Sequence, residues 1–175
     1  AREKVPNLGL VLAPRHPERS SDVAALIQRH GGSCVRFSQV AGTWQEAVLL
    51  VEVVGWLTHL YGYADLAFVG GSLVPHGGQN MLEAASWGLP ILFGPHTFNF
   101  RDISQQLLEA DGAIQLHNPA ELLPTMRALL ADGDRQRRMG AQAKQVIAHN
   151  TGAVERTVQA IQELLSQDTH RPHPP

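Results

Sequence analysis

The stretch VGGSLVPHGGQN, residues 69–80, sets two glycine pairs around one proline and one histidine, directly after an apolar run. Backbone amides at the start of a helix lack intrahelical acceptors and sit at the positive pole of the helix dipole, which suits a phosphate. Gly77, Gly78, Gln79 and Asn80 are therefore expected to open a helix as an anion cradle, with Gly70, Gly71 and Ser72 supplying a first glycine loop. The alternative is a tight turn whose glycines only provide unusual dihedrals. The spacing is neither the Walker loop, for no Gly-Lys-Ser/Thr follows, nor the dinucleotide fingerprint. Glu83 falls three residues after Asn80, on the same helical face. Its carboxylate can accept two hydrogen bonds from a ribose diol, or simply complement the helix dipole.

Two more loops carry chemistry. APRHPERS, residues 13–20, brings Arg15, His16 and Arg19 into a loop stiffened by Pro14 and Pro17, and an arginine fork matches a phosphate or carboxylate. In GPHTFNF, residues 94–100, His96 and Asn99 are placed to reach the same crevice. The nine histidines include no His-x-x-x-His pair with an acidic partner, and Cys34 is the only cysteine, so no metal site is expected. The absence of a G-x-S-x-G elbow argues against a serine hydrolase. With 14 basic and 16 acidic residues and a net charge of -2, the chain lacks the basic surface that nucleic-acid binding demands. A lone cysteine forms no internal disulfide, which points to a reducing compartment.

The elements that position these loops read as an alternation. Short apolar runs at Leu8–Ala13, Val35–Phe37, Val48–Val53, Leu66–Val69, Ile91–Phe93 and Ala113–Leu116 are expected strands. Between them, helices are expected from Ser20, over Trp56–Tyr63, Asn80–Trp87 and Phe98–Ala110, then in three pieces from Pro119 onward. Val154, Val158, Ile161 and Leu165 mark one stripe of the last piece. Strands alternating with helices imply an α/β fold, a Rossmann-like parallel sheet with helices on both faces. Ligands in such folds sit beyond the carboxyl ends of the strands, where the loops after Ala13, Val69 and Phe93 fall. One folded domain is expected over residues 1–167, with a His- and Pro-rich disordered tail at 168–175. No apolar run of about 18 residues is present to span a membrane.

LAPRHPERS, LYGYADLAFVGGSLVPHGGQNMLEAASWGLPILFGPHTFNF and the helical end together resemble the 3-deoxy-D-manno-octulosonic acid (Kdo) transferases of lipopolysaccharide synthesis, over nearly the whole chain to about Leu165. The resemblance implies the C-terminal, sugar-nucleotide-binding half of a two-domain GT-B glycosyltransferase. Such an enzyme moves Kdo from CMP-Kdo to a lipid A precursor with inversion, at the cytoplasmic face of the bacterial inner membrane, anchored through its N-terminal part. CMP-Kdo is then the donor substrate, no separate cofactor is implied, and the catalytic base is expected from the N-terminal domain, so no catalytic residue is assigned in this chain. The donor-binding positions implied are Arg15, His16, Gly70, Gly71, Ser72, Gly77, Gly78, Gln79, Asn80 and Glu83. Gln79 stands where the family pattern has histidine and keeps hydrogen bonding without a positive charge. Trp56 stands where it has an acidic residue, and core packing is expected for it. Competing readings are a sugar-nucleotide epimerase domain and a non-catalytic nucleotide-binding module.

Overall fold

The computed structural model describes residues 8–45, 47–150, 158–159 and 161–162. The tail at 168–175 lies outside these residues, as do Val154 and Leu165. Val158 and Ile161 are helical and exposed.

Among the described residues, six strands and six helices alternate except between the second and third strands and at the helical end. They are β1 Leu10–Leu12, α1 Ser20–Arg29, β2 Cys34–Arg36, β3 Val48–Leu50, α2 Leu57–Tyr61, β4 Ala67–Val69, α3 Leu82–Ser86, β5 Ile91–Phe93, α4 Arg101–Glu109, β6 Ala113–Gln115, α5 Leu122–Leu130 and α6 Gly133–Asn150. Short helical turns at Pro17–Arg19, Phe37–Gln39 and Pro119–Glu121 complete the chain order. All pairings are parallel. The strands hydrogen-bond as two three-stranded sheets, β1-β3-β2 and β4-β5-β6, rather than as one six-stranded ladder. Every strand is three residues long, so each ladder is brief and side-chain packing carries much of the cohesion.

The two central strands are the most apolar, because a strand flanked on both edges and covered on both faces meets no water. Val48, Leu49 and Leu50 in β3, and Ile91, Leu92 and Phe93 in β5, are all buried. One core cluster joins β4 and β5 to Met81, Ala84 and Ala85, to Leu107 of α4 and to Ala143 and Val146 of α6. A second, formed by Leu92, Leu116, Leu129 and Met139, sits on the opposite side of β5, since Leu92 alternates with Ile91 and Phe93.

The helix α6 reaches that core through Met139, Gly140, Ala143 and Val146, which recur at helical spacing on one face. Its approach is set by two glycines. A Cβ on Gly140 would stand 1.9 Å from the carbonyl oxygen of Gly88, so only a residue without a side chain lets α6 meet the end of α3. No helix among the described residues is long and apolar enough to cross a membrane.

Gly140→Ala is expected to lower stability by about 1–3 kcal/mol, because backbone rather than a flexible side chain blocks the added methyl. Urea unfolding of the variant beside Ala141→Ser, at an exposed neighbour, checks this; equal midpoints would refute it.

Candidate functional site

The loops after β4 and β5 are brought together, as expected. Ser72 is fully buried, and its hydroxyl donates to the Val69 carbonyl at 2.5 Å while accepting from Gly94 N–H at 2.8 Å. The Ser72 carbonyl in turn accepts from His96 N–H at 2.9 Å. Asn99 continues the seam, donating through its backbone N–H to Gly77 O at 3.3 Å and through Nδ2 to His76 O at 3.2 Å. Below it, Thr97 and Ser104 pair their buried hydroxyls at 3.0 Å, fixing the second loop to the start of α4.

This packing revises the anion cradle in three respects. First, α3 begins at Leu82, not at Asn80, and is five residues long. The side chain of Asn80 accepts from Leu82 N–H at 3.0 Å, so it turns the chain into the helix from outside. Second, the amide of Gly78 is occupied, donating to Gly71 O at 3.1 Å. Third, the Ser72 hydroxyl spends its one proton on Val69 O and does not face a ligand. Gly77 and Gly78 have φ of 86° and 77°, the left-handed region. A Cβ on Gly77 would also meet the Asn99 and Phe98 side chains, at 2.3 Å from Asn99 Nδ2, whereas one on Gly78 would make only ordinary contact, so the left-handed backbone is the demand the pair shares. Gly70 has an exposed backbone with nothing near its missing side chain, and Gln79 is half-buried with its Nε2 toward Gly71.

Glu83 lies in α3, half-buried, next to Ala84 and Ala85 of the first core cluster. Its Oε2 accepts a 2.5 Å hydrogen bond from the Thr58 hydroxyl on α2. Tyr61, also on α2, is half-buried, and its hydroxyl pKa is raised by burial and then by the negative charge of Glu83. The carboxylate is thus tied to α2 at an exposed contact.

The first loop stays separate in its bonding. Arg15 is exposed and forms no hydrogen bond or ion pair among the described residues, while His16 Nδ1 stands 3.2 Å from Glu18 Oε1. Arg19 precedes α1 at the N-cap position without a side-chain capping bond, and Ser20 donates to Pro17 O. His96 is half-buried. Trp56 is not in the core. It is 51% exposed at the start of α2, with ring centroids 5.4 Å from Phe37 and 5.8 Å from His59, because α2 is too short and too near the surface to bury its first residue.

Two residues escaped the sequence reading. Thr58 gives no local signal, since its partner is 25 positions away. Glu52, just past β3, accepts from the backbone N–H groups of Phe37 and Ser38 at 3.1 and 3.2 Å and from the Ser38 hydroxyl. Burial works to raise its pKa, but those hydrogen bonds together prevail and hold it below 4.5. Among the described residues no three His, Cys, Asp or Glu side chains gather as a metal site.

Two predictions follow from these contacts. Ser72→Ala is expected to cost about 1–3 kcal/mol, because Gly94 N–H loses its acceptor in a buried place, and thermal unfolding measures it. Glu52 has a lowered folded-state pKa, so its contribution is fully present above pH 4.5 and fades as pH falls through the lower folded value. Glu52→Gln should therefore destabilise the chain at pH 7 and leave a shallower loss of stability on acidification, read from denaturation midpoints between pH 7 and pH 3; parallel acid limbs would refute it.

No protein-family model matches the chain. It is 37% identical over 167 residues to the 3-deoxy-D-manno-octulosonic acid transferase of Haemophilus influenzae, and 36% identical over 168 residues to that of Bordetella pertussis. In each case the match takes in 94% of this chain and 39% of the relative, so the chain spans about two fifths of the length of these curated relatives. Among solved structures it is similar to the C-terminal CMP-Kdo binding domain of WaaA from Acinetobacter baumannii, with a TM-score of 0.76 and 29% identity, covering 83% of this chain and 77% of that one. Parallel strands flanked by helices are what the two share. The chain is therefore a homologue of the 3-deoxy-D-manno-octulosonic acid transferases, and it shares its fold with the C-terminal CMP-Kdo binding domain of WaaA.

Proposed function

We propose that this chain is the donor-binding domain of an inverting Kdo glycosyltransferase, holding CMP-Kdo while an N-terminal domain presents a lipid A precursor. The observation that carries the reading is the likeness to the CMP-Kdo binding domain of WaaA, at 29% identity over 83% of this chain. The enzyme would act at the cytoplasmic face of the bacterial inner membrane, held there by its N-terminal part.

In the transfer, the acceptor hydroxyl attacks the anomeric carbon of Kdo, and the bond from that carbon to a phosphate oxygen breaks. The electron pair leaves with CMP, and the acceptor proton passes to a base on the N-terminal domain. Charge grows on the cytidylate phosphate as the bond lengthens, and donors aimed at developing charge lower the barrier most. With the Ser72 hydroxyl and the Gly78 amide both committed to the fold, this task passes to Arg15, whose guanidinium is unpaired among the described residues, and to exposed backbone at Gly70. Glu83 takes the ribose hydroxyls. CMP-Kdo serves as donor substrate, and the reaction written this way needs no separate cofactor. The sugar-nucleotide epimerase and the non-catalytic module draw no support from the relatives described above, which are transferases by name.

Calorimetry of the chain with CMP, UDP and ADP is expected to rank CMP tightest. Arg15→Ala and Glu83→Ala should each weaken CMP about tenfold or more, the scale of a lost charge-assisted hydrogen bond. UDP binding more tightly than CMP would favour the epimerase, and a chain that binds none of the three would refute the reading.

A further inference from the structure

The Thr58–Glu83 bond joins two helices that are each five residues long, α2 and α3. Helices that short do not hold themselves in place, so a contact between them fixes side chains that local structure cannot. Glu83 is the carboxylate on which the nucleotide reading depends, and the present inference rests on that reading. A free glutamate has three rotatable bonds and gives up most of that freedom when a ligand captures it.

We propose that Thr58 is the positioning residue for Glu83, its hydroxyl donating from α2 to Oε2 so that the carboxylate is held in the orientation that receives a vicinal diol. The arithmetic of lone pairs allows both roles at once. A carboxylate offers about four acceptor sites, and Thr58 uses one of them. Oε1 accepts no hydrogen bond among the described residues. The donor is a neutral hydroxyl, so the full negative charge remains for the ligand, whereas a lysine or arginine at this place would neutralise it. Tyr61 stands three residues after Thr58, on the same face of α2, and packs against the core. Its raised pKa reports that the Glu83 charge lies close by, after the larger effect of burial. One face of α2 therefore supplies both a donor to the carboxylate and a bulky wall beside it.

Thr58 itself is exposed, so its replacement leaves the core intact. Thr58→Val keeps the branched shape and removes the proton, and Thr58→Ser restores it. The experiment measures dissociation constants of CMP and of 2′,3′-dideoxy-CMP for the parent chain, Thr58→Val, Thr58→Ser and Glu83→Ala. Thr58→Val is expected to weaken CMP about 3- to 10-fold while leaving dideoxy-CMP within about twofold, and Thr58→Ser to recover most of the CMP affinity. Equal weakening of both ligands would mean that Thr58 only braces α2 against α3, and would overturn the proposal. So would CMP binding unchanged in Thr58→Val while Glu83→Ala weakens it. If Glu83→Ala binds CMP as the parent does, the ribose role of Glu83 fails, and the assignment of Thr58 falls with it.

Discussion

The Ser72 hydroxyl is the smallest group in the structure with the widest consequence. It donates backward to Val69 O, closing the turn after β4, and accepts from Gly94 N–H, which belongs to the turn after β5. Two adjacent parallel strands thus leave the sheet tied at their carboxyl ends, 22 residues apart in sequence. Buried at 0% exposure, this hydroxyl has no water to replace either partner, so both bonds must be made for the loops to hold their shape. The positions of His96, Asn99, Gly77 and the start of α3 all descend from that junction.

Most of the fold was legible because the β/α alternation is written in apolar runs. Ile91–Phe93 is bounded by Pro90 and Gly94, and the strand occupies those three residues. Elsewhere the runs overshoot: Val48–Val53 reads as one strand, but the ladder ends at Leu50, beyond which the chain turns to place Glu52 against Phe37 and Ser38. The split into two ladders was not legible, for apolarity shows that a strand is buried and not which strand it pairs with. Trp56 misled for a related reason. A large aromatic in an apolar context is usually core, yet this one opens a helix at the surface, its ring tilted against Phe37 and His59.

The site was legible in its residues and less so in its geometry. That the stretches 70–83 and 94–100 meet was implied by parallel topology, and Asn99 against Gly77 bears it out. The glycine pairs were ambiguous between cradle and turn, and Gly78 bonded to Gly71 O answers for the turn at that position. No local pattern distinguishes an amide awaiting a ligand from one that meets a carbonyl seven residues back. Glu83 stood out by its spacing of three from Asn80, while Thr58, which holds it, looks like any polar residue on a short helix.

The meeting of Gly88 with Gly140 has a mechanical side. Two backbones in direct contact leave no compressible side chain between them, and Gly88 follows the carboxylate-bearing α3 by two residues. At 18 residues α6 is about 27 Å long. Its contact with Gly88 lies near its middle, so backbone meeting backbone, and no side chain, sets how closely this long helix approaches the end of α3.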